Sequence, residues 1–438
     1  MWIVSTVDEQ EVPSVRLLLQ LSVPAIVVGV VSAVGLFLVD EAAHLIEEFL
    51  WEFLPHLLNI PPDSGWWIFA VLSFTGFAIG LIVTFVPGRG GPDSATIELV
   101  APPMALTAVP GVFMVAALGL AGGVSLGPEA PVIGINTAIV FALVNRFWPQ
   151  INVGLVMMVS AAGTIGALFG TPVAAILVLT GVVAAAKSGG VLWDRLFLPL
   201  LSASTASVTM VLLGGQLLKA PVSPPVASTL LELIPAAVLV AGLAALVGLL
   251  GSVLFAPVHG LFRRLKSPLL YTTLGGLILG VLGVLGGPLT LFKGSTQTVE
   301  IVQRAGEFTP WQLAIMVLIK LAALVIAGAA GFRGGRIFPA VFIGVATGLM
   351  CHALMPQIPL TVAISCGALG TVLAVSRDGW IAIFIAAVIG GDTTLFPLLC
   401  FVVLPVWLLV ARAPEMIVHL PEEPKSPEEP KPGGRHAG

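Results

Sequence analysis

The sequence predicts an all-α integral membrane protein whose core consists of two repeated halves. Hydrophobic residues make up 57% of the 438 residues and charged residues only 10%. The mean hydropathy of +1.07 lies far outside the range of soluble proteins. The spacing Gly-x3-Gly-x3-Pro occurs at Gly123–Pro131 and again at Gly331–Pro339, 208 positions later. Paired segments that interrupt apolar runs are typical of transporters built from internal repeats.

The apolar runs predict the membrane helices in chain order. A complete span needs about 20 apolar residues, and several runs are shorter or are broken by Gly or Pro, as at Gly170–Pro172. A helix that stops inside a membrane is tolerated only where protein or a water-filled cavity satisfies its backbone. We therefore expect ten or more helices, some tilted or re-entrant, within residues 17–39, 66–86, 104–124, 131–144, 151–186, 195–214, 229–258, 268–292, 310–330, 338–354, 358–375 and 379–411.

Three sequence echoes in the same order indicate an internal duplication. Residues 92–100 resemble 294–302, the Gly/Pro motif follows in both halves, and residues 163–166 resemble 367–370. If the halves are inverted, both motifs approach the membrane midplane from opposite sides. We predict a polar N-terminal segment, a first membrane half, a linker, a second membrane half and a disordered Pro/Glu/Lys-rich tail, over residues 1–16, 17–214, 215–228, 229–412 and 413–438.

Several classes of function are disfavoured. No Walker loop, nucleophile elbow, metalloprotease helix or dinucleotide fingerprint occurs. The three cysteines lack metal-ligand spacing, and a metal site at His44 and Glu48 is less favoured than a solvated helix end. We expect no enzyme activity, cofactor, metal or nucleic acid, with membrane lipid as the surroundings. No signal-peptide pattern occurs at the start, so the first apolar run is expected to remain a helix. The basic cluster Arg263–Lys266 is expected in the cytoplasm.

Glu129 is the residue that most strongly indicates function. A carboxylate within an apolar region costs a few kcal/mol unless it is paired or neutralised. At the first turn of a helix, N–H groups and the helix dipole stabilise its charged form. A permeating anion would favour the same place, so Glu129 is a candidate gate that protonation would release. The alternative is a simple helix cap at the membrane surface.

The motifs around Glu129 resemble those of the CLC family of chloride channels and proton-coupled chloride antiporters. The family signatures Gly-Ser-Gly-Ile-Pro, Gly-Arg/Lys-Glu-Gly-Pro and Gly-x-Phe-x-Pro correspond to Gly88–Pro92, Gly127–Pro131 and Gly335–Pro339. The resemblance covers nearly all of residues 15–412 and is greatest to a short bacterial branch of ion-transport proteins. It implies a multi-pass homodimer in a bacterial cell membrane, with one path for chloride or similar anions in each subunit. It also implies anion binding, mainly by backbone at helix starts, at Gly88, Arg89, Gly90, Gly91, Pro92, Gly127, Pro128, Ala130, Gly335, Arg336, Ile337, Phe338 and Pro339.

The chain departs from the family pattern at the positions of three pathway side chains. The family's pathway serine falls on Arg89, and its phenylalanine falls on Ile337. The pathway tyrosine has no counterpart, because the single tyrosine, Tyr271, lies in another segment. Arg89 either attracts or blocks anions at the inner mouth or extends its charge to the membrane interface. The Gly/Pro framework is kept, so backbone N–H donors are expected to survive.

Proton coupling is disfavoured by Val182. This residue falls where antiporter members carry an internal glutamate, and valine cannot accept a proton. We therefore predict a glutamate-gated channel. A proton-coupled antiporter remains an alternative, as does a non-conducting membrane scaffold or sensor.

Three further cations lie near Gly335–Pro339, the third family signature, or in the apolar run before it. Lys320 is near the centre of an apolar run, where it either pairs with a carboxylate or carbonyl or adds positive potential to the anion path. Arg333 and Arg336 flank the third motif and are expected to shape the potential at one pathway mouth.

Overall fold

The computed structural model describes residues 15–97, 102–185, 192–215 and 230–419. Most of the predicted N-terminal segment, linker and tail lies outside these residues. The described residues form sixteen α-helices: α1 Val15–Glu48, α2 Leu54–Leu58, α3 Gly65–Phe85, α4 Val109–Ala121, α5 Glu129–Phe147, α6 Val153–Phe169, α7 Pro172–Ala185, α8 Leu192–Leu212, α9 Leu230–Arg263, α10 Pro268–Gly286, α11 Ser295–Gln303, α12 Pro310–Ala329, α13 Ile337–Leu354, α14 Leu360–Ser376, α15 Gly379–Gly390 and α16 Phe396–Val410.

The predicted all-α membrane fold is confirmed. By length and composition, eight helical stretches in the described part of the chain can cross a membrane. The remaining apolar helices, including α6, α7, α14 and α15, have 10–17 residues. These are the short helices that the broken apolar runs predict. The first span continues from α1 through a wider helical turn at Phe49–Phe53 into α2.

The helix ending before each Gly/Pro motif has the same geometry in both halves. Gly123 and Gly331 have φ angles of +83° and +80°, a left-handed conformation that glycine adopts without steric cost. Two equivalent backbone hydrogen bonds close each helix. These bonds run from Gly122 and Val124 to Leu118 and Gly119 in the first half, and from Ala330 and Phe332 to Ile326 and Ala327 in the second.

The motifs at Gly123–Pro131 and Gly331–Pro339 meet in the buried interior as an antiparallel pair. Gly127 N donates to Gly335 O at 2.8 Å, and Gly335 N donates to Gly127 O at 2.7 Å. Because equivalent residues pair in opposite directions, a local two-fold relates the motifs. This is the relation expected of inverted halves.

Glycines hold α3 and α10 together across the two halves. A Cβ atom at Gly76 would lie 2.6 Å from Thr272 O and 2.7 Å from Gly276 Cα. Gly65 lies beside Val284, so the two helices run antiparallel. Small residues allow this close backbone approach between membrane helices.

The antiparallel packing of α3 and α10 defines two faces of the molecule. The end of α3 and the start of α10 lie together, so Arg89, Arg263, Arg264 and Lys266 share one end, here called the basic face. The C-terminal segment joins this face, because Val418 N donates to Ala95 O at 2.8 Å. Trp67 Nε1, at the start of α3, donates to Leu50 O just after α1, so the opposite end carries Asp40, Glu41, Glu47 and Glu48 and is here called the acidic face.

Gly88–Pro92, the first of the three family signatures, has an unusual backbone conformation. Four successive residues, Gly88–Gly91, have positive φ, which an α-helix does not permit. Asp93 then closes a single turn, since its Oδ1 accepts from Ala95 N at 3.2 Å and its carbonyl accepts from Thr96 N at 2.9 Å. Gly88–Pro92 is therefore followed by a turn within residues 92–97, and residues 98–101 lie outside the described residues. Its counterpart in the second half opens α11.

Candidate functional site

The carboxylate of Glu129 lies between the first turns of two helices. Glu129 begins α5 and is only 1% exposed. Its Oε1 accepts a hydrogen bond from Phe338 N, in the first turn of α13, at 3.1 Å. Its Oε2 is buried without a hydrogen-bond partner among the described residues. This burial differs from the surface cap considered as an alternative.

The paired glycines make room for this carboxylate. A Cβ atom at Gly335 would lie 1.8 Å from Glu129 Oε2, and one at Gly127 would lie 2.2 Å from the same atom. Any other residue at either position would therefore displace the carboxylate. Gly127 and Gly335 are needed to leave space for the Glu129 side chain. Backbone conformation does not require glycine there, because neither residue has a positive φ.

Aromatic side chains enclose the start of α13. Phe338 is 5% exposed, and its ring stacks on Phe169 with centroids 6.0 Å apart. Phe169 also meets Phe384 edge-on at 6.0 Å. The neighbouring Ile337 is 8% exposed. Because these side chains exclude water, they strengthen the electrostatic field of the helix starts.

A small cavity lies beside the start of α5, between the first motif and Arg333. Its volume is about 30 Å³, enough for a water molecule or a small ion. The structure thus brings Gly88–Pro92 and Gly127–Pro131 together at one cavity. Its lining residues include Gly90, Pro92, Ser94, Met104, Ala130 and Arg333. Arg89 is exposed, with a φ of +50°.

Lys320 is bound by backbone carbonyls. The side chain is fully buried, and its Nζ donates to the carbonyls of Thr290, Leu291 and Phe292 at 3.0, 2.8 and 2.7 Å. The same Nζ lies 5.4 Å from the ring centroid of Phe342. Of the two partners considered for Lys320, carbonyl and carboxylate, the structure has the carbonyl. Lys320 therefore holds the loop before α11 against α12 and α13.

Arg333 holds the equivalent loop of the first half. Its guanidinium donates to the carbonyls of Gly90 at 3.1 Å and of Gly91 and Gly331 at 3.2 Å. It also donates to Asp93 Oδ1 at 3.2 Å. The loop of each half is thus bound by one buried cation, and both cations, Lys320 and Arg333, come from the second half.

A second charged group, which the sequence reading missed, surrounds Asp93. His259 Nε2 lies 3.1 Å from Asp93 Oδ2, and Arg263 donates a short hydrogen bond to the same oxygen. Burial raises the pKa of Asp93, but the hydrogen bond with His259 and the charges of Arg333 and Arg263 outweigh it and lower that pKa to about 2. The sequence did contain one indication of this group: His259 and Arg263 are four residues apart, a spacing that places both side chains on the same face of a helix.

Lys293 is a further cation that the sequence reading missed. Its Nζ lies 3.5 Å from Asp40 Oδ1 and 6.0 Å from the ring centroid of Phe338. It also interacts electrostatically with Glu129. Lys293 therefore lies on the acidic-face side of the Glu129 carboxylate.

Arg336 differs from the buried Lys320 and Arg333, because its side chain is only partly buried. Its Nη1 is buried without a hydrogen-bond partner in the part of the chain that the structure describes. Its guanidinium carbon lies 6.0 Å from the ring centroid of Phe255, and its charge interacts with Glu129 and Glu415.

Comparison with known proteins identifies the family. The family model described as voltage gated chloride channel matches residues 75–408. The chain belongs to the CLC family.

Bacterial CLC relatives extend the similarity along almost the whole chain. The "Putative ion-transport protein YfeO" of Shigella boydii serotype 4 (strain Sb227) is 43% identical over 411 residues, which cover 94% of this chain and 98% of the relative. The protein of the same name from Escherichia coli (strain K12 / DH10B) has the same identity and coverage. The predicted resemblance to the short bacterial CLC branch is confirmed.

Solved CLC structures share the fold. A CLC-type fluoride/proton antiporter superposes with a TM-score of 0.75 at 20% identity, over 92% of this chain and 98% of the other. A slow cyanobacterial Cl-/H+ antiporter gives 0.73 at 18% identity, over 89% and 95%. These comparisons establish a multi-pass CLC fold for the chain. Family members are transporters and channels and not enzymes.

Proposed function

We propose that this CLC protein moves chloride or other small monovalent anions between its two faces, with Glu129 as the gate. One observation carries the proposal: the Glu129 carboxylate accepts Phe338 N at the place where the starts of α5 and α13 meet. Converging helix starts favour a negative charge. The carboxylate therefore occupies a position that suits an anion.

In this mechanism the carboxylate and the anion compete for the same N–H donors. Protonation of Glu129 weakens its hydrogen bond with Phe338 N and lets the side chain leave. An anion then takes the vacated place, held by the first-turn N–H groups of α13 and by the positive ends of both helices. Lys293 attracts anions from the acidic face, and Arg336 attracts them from the other side.

Anion flux from liposomes tests the gate. We expect Glu129→Ala to raise chloride efflux severalfold and to remove its dependence on pH, because the competing carboxylate is gone. Glu307→Gln, at an exposed ion pair with Arg304, serves as the control and should behave as wild type. Wild-type flux and pH response in Glu129→Ala would exclude Glu129 as the gate.

We propose passive conduction because the position of the internal glutamate is occupied by Val182. Its side chain is 41% exposed and has no titratable group. A proton-coupled antiporter is the second candidate, favoured by the two antiporters among the solved structures that share the fold. A non-conducting scaffold or sensor is the third.

Simultaneous recording of chloride efflux and external pH separates these candidates. Chloride flux without coupled proton movement supports the channel. Uphill proton movement driven by a chloride gradient would establish the antiporter and place the internal proton acceptor away from Val182. Absence of any flux would leave the scaffold or sensor.

We also propose a homodimer in the bacterial cell membrane, with one anion path in each subunit. The exposed apolar side chains of α8 and α16, such as Leu212 at 81% and Leu408 at 79%, provide faces for a second copy or for lipid. Mass measurement of the detergent-solubilised protein tests the dimer. A monomeric mass at concentrations used for reconstitution would contradict it.

A further inference from the structure

A buried polar network surrounds the middle of α5, the helix that begins at Glu129. Asn136 is fully buried, and its Nδ2 donates to Ser32 O of α1 and to Thr164 Oγ1 of α6, both at 2.9 Å. The next residue, Thr137, donates from Oγ1 to Ser160 Oγ of α6 at 3.3 Å. Three side-chain hydrogen bonds therefore join α5 to two neighbouring helices in an otherwise apolar region.

The amide of Asn136 is held in one orientation. Its Oδ1 has no hydrogen-bond partner among the described residues, and it lies against Gly35 of α1. A Cβ atom at Gly35 would lie 2.0 Å from this oxygen, so only glycine leaves room for the amide. A buried acceptor without a partner lowers stability, whereas an apolar side chain of the same branched shape would avoid that loss. Stability alone therefore does not account for an asparagine at this position.

Asn136 lies on the same side of α5 as Glu129. The two residues are seven positions apart, nearly two helical turns or about 10 Å along the axis. At the start of the helix, Glu129 Oε1 reaches α13 through its hydrogen bond with Phe338 N at 3.1 Å. A rotation or a slide of α5 at Asn136 would move this carboxylate with it. Apolar packing in a membrane resists such movement weakly, because lipid tails are as apolar as the side chains, whereas interhelical hydrogen bonds fix the geometry.

We propose that Asn136 is a positioning residue of the gate, whose bonds to α1 and α6 fix the rotation and depth of α5 so that the Glu129 carboxylate reaches Phe338 N. This inference rests on the proposed gating by Glu129. A hydrogen bond from an N–H group holds a charged carboxylate more strongly than a neutral one. Loss of the Asn136 bonds weakens the contact with Phe338 N, so the gate opens at a higher pH.

The pH profile of chloride efflux from liposomes tests this role. Asn136→Leu removes both donors, so the pH of half-maximal efflux should rise by about 0.5–1 unit. Thr164→Val keeps the side-chain volume and removes one of the two bonds, so its profile should move less in the same direction. Ser207→Ala is the matched control, because its buried Oγ donates to Gly166 O at 2.8 Å and joins α8 to α6 without contacting α5. Wild-type profiles in both Asn136→Leu and Thr164→Val would overturn the proposal.

The Glu129→Ala background shows whether Asn136 acts through the carboxylate. There Asn136→Leu should conduct as Glu129→Ala does, which also shows that the substituted protein folds. A further change in efflux would mean that Asn136 acts on the path directly, and would contradict positioning. A wild-type pH profile in Glu129→Ala would exclude the gate and the positioning role together. Loss of pH dependence in Glu129→Ala, with wild-type profiles in both Asn136→Leu and Thr164→Val, would reject the positioning role alone.

Discussion

At the scale of single residues, the site depends as much on the space that two glycines leave for Glu129 as on charge. Glu129 reaches Phe338 N because Gly127 and Gly335 lack Cβ atoms, and the same glycines pair through two backbone hydrogen bonds. The sequence identified Glu129 and both glycines from their spacing. It did not reveal that Gly335 contacts the carboxylate, because that contact joins residues 206 positions apart (335 − 129).

Gly335→Ala is expected to mimic removal of the gate. Its Cβ would lie 1.8 Å from Glu129 Oε2, so the carboxylate must leave its position. Chloride efflux should rise and lose its pH dependence, as in Glu129→Ala. Gly379→Ala is the matched control, since its Cβ meets only Val403 at 3.9 Å. Unchanged pH-dependent efflux in Gly335→Ala would show that the carboxylate is held elsewhere during transport.

Lys320→Met is expected to lower stability without removing a gate residue. The substitution leaves the three carbonyls of residues 290–292 without their buried donor, at a cost of about 3 kcal/mol or more. Thermal unfolding in detergent, followed by tryptophan fluorescence, should show a Tm several degrees lower. Lys266→Met, at an exposed site, should leave Tm unchanged. An equal Tm for both variants would contradict the anchoring role.

Asp93 should make stability depend on acid pH. Its pKa of about 2 is below the ordinary value of 3.8. A lowered folded-state pKa gives stability that is fully present above about pH 4 and is lost as pH falls toward 2. Asp93→Asn should therefore cost about 2 kcal/mol at neutral pH and flatten the acid dependence between pH 4 and 2. Asp63→Asn, at an exposed carboxylate, is the control. A steep wild-type acid dependence that persists in Asp93→Asn would assign the effect to other carboxylates.

At the scale of helices, the apolar runs predicted existence and approximate length well. The short helices α6, α7, α14 and α15 are the broken runs of the sequence. The left-handed turn at Gly88–Gly91 was not predicted, because Gly/Pro spacing does not reveal four successive positive φ angles. The glycine contacts of α3 with α10 were also not predicted, since apolar periodicity carries no information about the partner helix.

Gly76→Ala should disturb the packing of α3 on α10. The added Cβ would lie 2.6 Å from the backbone oxygen of Thr272, which cannot move as a side chain can. We expect a loss of about 1–3 kcal/mol in detergent unfolding. Gly242→Ala is the control because its Cβ meets no atom within 4 Å. If Gly76→Ala and Gly242→Ala had the same Tm, the close approach of α3 and α10 would not contribute to stability.

At the scale of the whole molecule, two inverted halves place a basic and an acidic face at opposite ends. The end of α1 joins the acidic face because Trp67 Nε1 of α3 donates to Leu50 O at 3.2 Å. The positive-inside tendency predicts that the basic face is cytoplasmic.

Cysteine labelling in intact cells tests this orientation. In a background with Cys400→Ser, Glu48→Cys should react with a membrane-impermeant maleimide from outside. Arg264→Cys should react only after permeabilisation. The native Cys351 and Cys366 are buried and should contribute little labelling. The reverse pattern would invert the orientation and place the gate near the cytoplasm.

Composition, run length and motif spacing by themselves determined the membrane fold, the duplication, the family resemblance and the candidate gate. These properties are local or periodic, so they can be read along the chain. Only the tertiary structure decided that Gly127 pairs with Gly335 and that Lys320 and Arg333 are occupied while Arg336 Nη1 has no described partner. Each of these contacts depends on which distant backbone groups the fold brings next to a given residue. Hydrogen bonds between distant segments leave no periodic pattern in the sequence from which they could be predicted.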